Sequence, residues 1–449
     1  MYKQKKKELS METIFFDYNL NNACVGKNKF IEIRNRLLPE IKRIQTARKN
    51  FYSTDYASVN VPFDIQNLQD VKALIALKKR LSPTAIVVVG IGGSNLGTIA
   101  VHKAINGVLY NEQDPKVKVY FADTVDADYI SDIVEILERE LQRGSNILLN
   151  VVTKSGTTTE TMANFEVFLE LLKAYKKSSY RDYIIITTDK GSKLCEYANE
   201  NHITCLEIPK KVGGRYSVFS PVGLFPLGFL GIDLEKLLAG AMDMVLQCTS
   251  EHLDENIAVN TASIAYYHYK NGANINDTFI FSRDFYSIGL WYRQLVGESL
   301  GKRYNKEGRI VEVGITPTVS LGTTDLHSVA QLYFGGPRDK FTTFITVEPR
   351  KNVFLPKIDA FEKFVANIQG KSISFIMSSI AQGVKKAYQK DARPFVSLHV
   401  PQANEFFVGQ ILQWKMLEII YLGYLFDVNP FDQPQVDLYK KETRKVLAQ

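Results

Sequence analysis

Short, almost wholly apolar runs at 86–89, 117–121, 147–152 and 183–187 alternate with stretches of helical periodicity such as Met162, Phe165, Leu169 and Leu172. Apolar character that is continuous rather than alternating demands strands covered on both faces, which a parallel sheet wrapped by helices supplies. The rhythm resumes after a Gly/Pro-rich break at 221–233, with candidate strands at 278–281, 310–313, 341–347 and 395–400. The predicted fold class is therefore α/β: two doubly wound parallel-sheet domains, each a three-layer αβα sandwich. Helices within 11–80 and a long amphipathic stretch at 405–426 are expected to pack around them. The predicted organisation is 1–80 as an N-terminal tail with helices on the large domain, 81–232 as a first, small domain, and 233–449 as a second, large domain with C-terminal helices.

Ligands of such sheets sit at the carboxyl ends of the strands. Two segments with phosphate-binding chemistry fall there: GIGGSNLG (90–97) and TKSGTTTE (153–160). Free backbone N–H groups and the positive end of a helix converge at such junctions, which suits an anion. The dinucleotide fingerprint needs a third glycine where Asn95 stands, and the P-loop needs a lysine where Thr98 follows Gly97. What remains is a metal-free cradle for a single phosphate monoester. Its candidates are Gly93, Ser94, Thr153, Lys154, Ser155, Gly156, Thr157 and Thr158. Either loop alone could be a tight turn with helix caps; two in neighbouring βα units point to a phosphorylated small molecule.

The bulk properties exclude several classes. With 45% apolar and 23% charged residues the chain is an ordinary globular protein, long enough for two to three domains. The net charge of +7 owes much to Lys3–Glu8 and the last helix, and no Arg-rich stripe with interleaved aromatics suggests nucleic acid. The Lys cluster reads as a solvated tail, with Met11 a possible natural start. Cys24, Cys195, Cys205 and Cys248 are scattered, with no C-x-x-C pair and no secretory signal, so they are expected reduced in a cytoplasmic protein. The apolar stretch 222–232 falls short of the ~20 residues a membrane span needs. No His/Asp/Glu cluster has metal-ligand spacing, so neither metal nor cofactor is expected.

Further motifs follow in order: VGGRYSVFSPVGL (212–224), GESLGK (297–302), TTDLHS (323–328) and NPFDQPQVDLYKK (429–441). With the two cradle loops, the set resembles bacterial-type glucose-6-phosphate isomerases, from about Phe16 to the C-terminus. TKSGTT is also the hallmark of the sugar-isomerase (SIS) domain, of which that family carries two. The chain departs from the family pattern at Gln435, usually Gly, and Asp437, usually Glu, while Asn95 occupies a variable place.

Moving a carbonyl between C1 and C2 of a sugar phosphate needs one base that takes a carbon-bound proton and returns it to the neighbouring carbon through a cis-enediolate. Glu298 suits this, with Gln294 one turn earlier on the same helical face; otherwise it is merely a surface Glu paired with Lys302. Arg215, after Gly213 and Gly214, offers a permanent cation for the enediolate, where an isolated Arg would be a casual surface charge. The resemblance supports both roles. It further implies that His327 opens the sugar ring, with Asp325 and Ser328 near enough to influence its tautomer, that Lys440 assists at the ring oxygen, and that Gln433 contacts substrate. It also implies a homodimer in which the histidine comes from the neighbouring subunit. His102, His202, His252, His268 and His399 read as structural.

The expected activity is interconversion of glucose 6-phosphate and fructose 6-phosphate in glycolysis and gluconeogenesis. The alternatives are a bifunctional phosphoglucose/phosphomannose isomerase and a non-catalytic SIS module that senses phosphosugars. The last would need only the phosphate loops and would carry a DNA- or nucleotide-binding appendage, for which the first eighty residues offer no helix-turn-helix-sized candidate.

Overall fold

A computed structural model describes residues 14–449; the Lys3–Glu8 run and Met11 lie outside them. In chain order the first strands are β1 (Phe15–Asp17), β2 (Pro83–Val89), β3 (Lys118–Ala122), β4 (Asn146–Val152), β5 (Ile184–Asp189) and β6 (Thr204–Ile208). They are followed by β7 (Ile275–Phe281), β8 (Lys302–Tyr304), β9 (Ile310–Val313), β10 (Thr316–Leu321), β11 (Lys340–Val347) and β12 (Phe395–Val400). Two compact units result. One comprises Lys42–Met242 with Leu290–Leu295, the other the chain up to Ile41, Asp243–Gly289 and Val296–Gln449. The units are thus interleaved in sequence rather than consecutive: the helix Ile65–Lys79 belongs with the first sheet, and the helix Tyr286–Leu300 carries residues of both units.

In the Lys42–Met242 unit the sheet order is β3-β2-β4-β5-β6, all parallel. Both alternating sets on β2, Ile86 and Val88 as well as Val87 and Val89, are buried, as double coverage requires. On one face Val87, Val89, Leu149, Val151, Ile184 and Ile186 pack against Ile133 and Leu137 of the helix Ala127–Gln142 and Phe165 and Phe168 of the helix Thr159–Lys176. Asp126 and Ser192 start helices by accepting the backbone N–H of Tyr129 and Cys195, satisfying donors the first turn leaves open. The edge strand β6, not anticipated from the sequence, extends this sheet.

The other unit departs from the all-parallel expectation. Its sheet order is β1-β12-β11-β7-β10, with β1 antiparallel to β12 and the remaining pairs parallel. β1 lies where helix was expected, its three residues being too few to give a period. The run 310–313 does not enter the sheet: it is β9, which forms an antiparallel ribbon with β8 and is largely exposed. The place beside β7 goes to β10, whose Thr316, Pro317, Thr318 and Ser320 hid it from a search for apolar runs; Pro317 is tolerated because β10 is an edge strand. The helix Glu405–Leu425 is buried all round rather than amphipathic, and it encloses an ion pair, Lys415 Nζ to Glu418 Oε2 at 3.0 Å. No described helix is long and apolar enough to cross a membrane.

Candidate active site

The two cradle loops leave adjacent parallel strands whose ends are flush, Val89 pairing with Val151. After β2 the chain turns through a 3-10 segment Gly92–Ser94 into the helix Leu96–Asn106. Gly92 sits at φ +58°, and the buried Asn95 closes the loop by donating from Nδ2 to the Gly90 carbonyl at 2.6 Å. A Cβ on Gly90 would come 2.9 Å from the Val152 carbonyl oxygen, so the loops touch at their bases. The second loop gathers four hydroxyls. Thr153 and Thr158 Oγ1 are 2.9 Å apart, Ser155 Oγ is 3.5 Å from Thr158 Oγ1, and Thr157 donates its N–H to Ser155 Oγ at 3.2 Å. Gly156 at φ +67° makes the turn, and a Cβ there would press on Leu194 and Ser192. Such a ring of rotatable hydroxyls suits a tetrahedral oxyanion.

Lys154, expected among the phosphate ligands, directs its ammonium at the carbonyls of Lys210 (2.8 Å) and Val212 (3.0 Å). Burial lowers its pKa, Asp189 opposes that shift and Lys211 adds to it. It thereby ties the second cradle to the VGGR turn. That turn also meets the first cradle: Ser217 Oγ donates to the Gly93 carbonyl at 3.3 Å, and a Cβ on Gly93 would lie 2.5 Å from the Arg215 backbone nitrogen. Arg215 is 2% exposed, unlike the surface charge an isolated Arg would be. Gln294 reaches the same place, its Nε2 lying 3.0 Å from where a Gly92 Cβ would stand. One end of this sheet thus collects Gly93, Ser94, the 153–158 hydroxyls, Arg215 and Gln294.

The other unit holds Glu298, His327, Gln433 and Lys440. Glu298 is half-buried one turn after Gln294 on the helix Tyr286–Leu300. Lys302, read from spacing as a partner for the Glu298 carboxylate, sends its ammonium to the Glu298 backbone carbonyl (2.9 Å) and to Asp432, both carbonyl and Oδ1, the latter at 2.9 Å. This buried lysine therefore fastens the end of the Glu298 helix to the segment that carries Gln433. Gln435 lies in a 3-10 turn, Pro434–Val436, and has no positive φ, so its backbone does not require a glycine. His327 is exposed, just after a 3-10 turn. Asp325 does not engage its ring: Oδ2 accepts the Leu321 N–H and Oδ1 the Ser328 hydroxyl, both at 2.7 Å, so the carboxylate shapes the loop. Lys440 is exposed on the helix Asp437–Leu447, 3.9 Å from Asp437.

Over residues 78–449 the chain matches the family model described as phosphoglucose isomerase. The chain belongs to the phosphoglucose isomerase family. A glucose-6-phosphate isomerase of Carboxydothermus hydrogenoformans is 36% identical over 370 residues, covering 81% of this chain and 78% of that one. A hypothetical protein of Thermus thermophilus superposes with a TM-score of 0.85 at 30% identity, over 97% of this chain and 100% of its own. A glucose-6-phosphate isomerase of Chlamydia trachomatis shares the fold with a TM-score of 0.80 at 18% identity, over 95% and 87%.

Several residues that shape these loops and the Glu298 helix were not read in these roles from sequence: Asn95 as a loop closure, Ser192, Ser217, Lys302 as a helix anchor, and Asp432. Asn95 and Ser192 had a detectable signal, a polar residue at a strand-to-helix junction. Ser217 and Asp432 act on residues 124 and 130 positions away, which no local pattern encodes. His102 and His268 are structural, both buried with pKa values pushed down to about 4, first by burial.

Proposed function

We propose that this chain interconverts D-glucose 6-phosphate and D-fructose 6-phosphate, with the phosphate held by the loops after β2 and β4. The observation that carries this reading is the family match over residues 78–449, within which both cradle loops leave neighbouring strands side by side. Isomerisation begins with a closed sugar. His327 and Lys440 move a proton between the ring oxygen and the C1 hydroxyl, and Gln433 holds the opened chain. Glu298 then takes the C2 proton of the aldose and returns it to C1, passing through a cis-enediolate whose charge Arg215 balances. Gly93, Ser94, Thr153, Lys154, Ser155, Gly156, Thr157 and Thr158 form the phosphate cradle, with Gln294 beside it.

The reading includes a homodimer with shared sites, working in the cytoplasm. Its support is the exposure of His327 and Lys440 together with large apolar side chains left open in two segments. Phe354, Phe361 and Phe364 are 54–71% exposed, and Leu438, Val446 and Leu447 are 66–69% exposed, more than a monomer ordinarily leaves to water.

A coupled isomerase assay on wild type and Glu298→Gln tests the base. The substitution is expected to lower kcat by ~10²–10⁴ while binding of a phosphosugar is retained. Equal activity in both proteins rejects Glu298. Transfer of solvent deuterium into C2 of glucose 6-phosphate reads the proton step directly.

A further inference from the structure

Asp277, on β7, is a carboxylate with no solvent exposure, and the reaction as read above does not use it. One of its oxygens, Oδ1, accepts three hydroxyls: Thr318 at 2.7 Å, Ser320 at 2.9 Å and Tyr333 at 3.1 Å. The other, Oδ2, has no hydrogen-bond partner among the described residues. A lone carboxylate in a sheet core is an expensive choice beside Phe279 and Phe281 on the same strand face, so its retention needs a reason.

The reason lies in where the three hydroxyls come from. Thr318 and Ser320 are on β10, the strand that enters the His327 loop, and Tyr333 is on the helix Ala330–Gly335, which leaves it. Ser320 and Tyr333 are themselves 3.0 Å apart, so strand, helix and carboxylate close a small hydroxyl ring. Between these anchors the loop is held from below. A Cβ on Gly322 would strike the Phe281 ring at 2.4 Å, and Leu326 and Phe334 pack on the cluster of Phe279, Phe281 and Phe344. His327 is exposed to solvent on this platform.

We propose that Asp277 is a positioning residue for His327, fixing both flanks of its loop to β7 through one carboxylate oxygen. This rests on the reading of His327 as the ring-opening group. An acceptor-only group is what the geometry calls for, because each flank supplies donors and a hydroxyl or amide in its place would add a hydrogen needing a partner of its own. Burial raises the Asp277 pKa, with the Asp325 charge adding and the three hydroxyls opposing, so each hydroxyl also helps keep the group ionised.

The test separates ring opening from isomerisation. Glucose 6-phosphate must be opened, whereas 5-deoxyfructose 6-phosphate lacks the O5 that would close its furanose and enters as the open chain. Tyr333→Phe is expected to lower kcat on glucose 6-phosphate about tenfold with KM unchanged, less than the roughly hundredfold a 1 Å misplacement can bring. Exchange of C1 hydrogen in the 5-deoxy substrate should stay at the wild-type rate. Asp277→Leu should show the same selectivity, and Asp277→Asn, whose amide oxygen can take the same hydroxyls, should recover part of the loss. The proposal is overturned if Tyr333→Phe leaves glucose 6-phosphate turnover intact or slows both substrates alike. His327→Ala is run beside it. If that variant is selective for the closed sugar and Tyr333→Phe is not, only the positioning role fails; if His327→Ala slows both substrates equally, the ring-opening reading fails and the positioning role with it.

Discussion

Gly93 is where the first cradle lies against the VGGR turn with no room for a side chain. A Cβ built there would stand 2.3 Å from the Gly214 carbonyl carbon, 2.5 Å from the Arg215 nitrogen and 2.7 Å from the Gly214 oxygen. All three are backbone atoms, so no rotamer change relieves the clash. Carbon atoms pack comfortably from about 3.5 Å, so Gly93→Ala must drive the two segments apart by about 1 Å. Overpacking of that kind destabilises by about 1–3 kcal/mol, which a chain of this size can survive folded. The functional effect is larger: a displacement of ~1 Å between groups that meet one substrate lowers the rate by roughly 10². Gly93→Ala should therefore reduce kcat/KM about a hundredfold in the coupled isomerase assay while the protein still unfolds cooperatively. Gly214→Ala is the control. Its added Cβ would find only the Gly93 Cα at 3.6 Å and carbonyl carbon at 3.8 Å, ordinary contacts, and activity should stay near wild type. Near-normal kcat/KM in Gly93→Ala, or equal damage from Gly214→Ala, would refute the reasoning.

His102 and His268 are buried as neutral rings with pKa values pushed down to about 4, against 6.5 for an unperturbed ring. Between those values the unfolded chain binds more protons than the folded one, so their stabilisation is complete above pH 6.5 and falls as pH drops toward 4, by up to roughly 3 kcal/mol for each ring. Urea midpoints over that window should fall in wild type and fall less in His268→Phe, which can keep the stack on Phe341; parallel curves would contradict this. Sedimentation at assay concentration should find a dimer, and Phe354→Glu with Phe364→Glu should shift it toward monomer with loss of turnover. A fully active monomer would reject shared sites.

The fold was legible wherever strands are buried on both faces. β2, β4, β5, β11 and β12 announce themselves because nearly every position faces a helix layer, so apolar residues dominate the run. Of the edge strands, only β3 gave an apolar run. β6 and β10 are half-exposed or polar, β1 has three residues, and the apolar run of β9 belongs to a ribbon outside the sheet. The cradle was legible because its chemistry is local: glycines, hydroxyls and a strand-to-helix junction within eight residues. The anchoring of Glu298 through Lys302 to Asp432 was not, because i,i+4 spacing points to the carboxylate and only the folded chain brings Asp432 to the ammonium. The Asp277 ring was hidden for the same reason, its donors lying 41 to 56 residues away.

The two sheets carry the same strand order and different chemistry. Numbering each from its first parallel strand, the Lys42–Met242 unit reads 2-1-3-4-5 and the other reads 2-1-3-4, with antiparallel β1 completing its edge. In both, connections diverge between the first and third strands, the point where such sheets form a crevice for ligands. In the first unit the loops at that point are the Gly/Ser/Thr cradles after β2 and β4. In the second the corresponding loops, after β7 and β11, carry no such run and are bridged by Arg350 Nη2 on Asp284 Oδ2 at 2.7 Å. The bridge places a carboxylate where the other sheet gathers donors for an anion. The second unit's functional candidates are placed differently: Glu298 lies in the last turn of the helix that follows β7, and His327 in the loop after β10. One parallel scaffold is thus built twice with different chemistry at the same point: in one unit the loops there gather hydroxyls suited to an anion, and in the other an ion pair bridges them. The two arrangements are not interchangeable: hydroxyls and backbone N–H groups cannot take a proton from carbon, and a carboxylate at the crevice repels a phosphate.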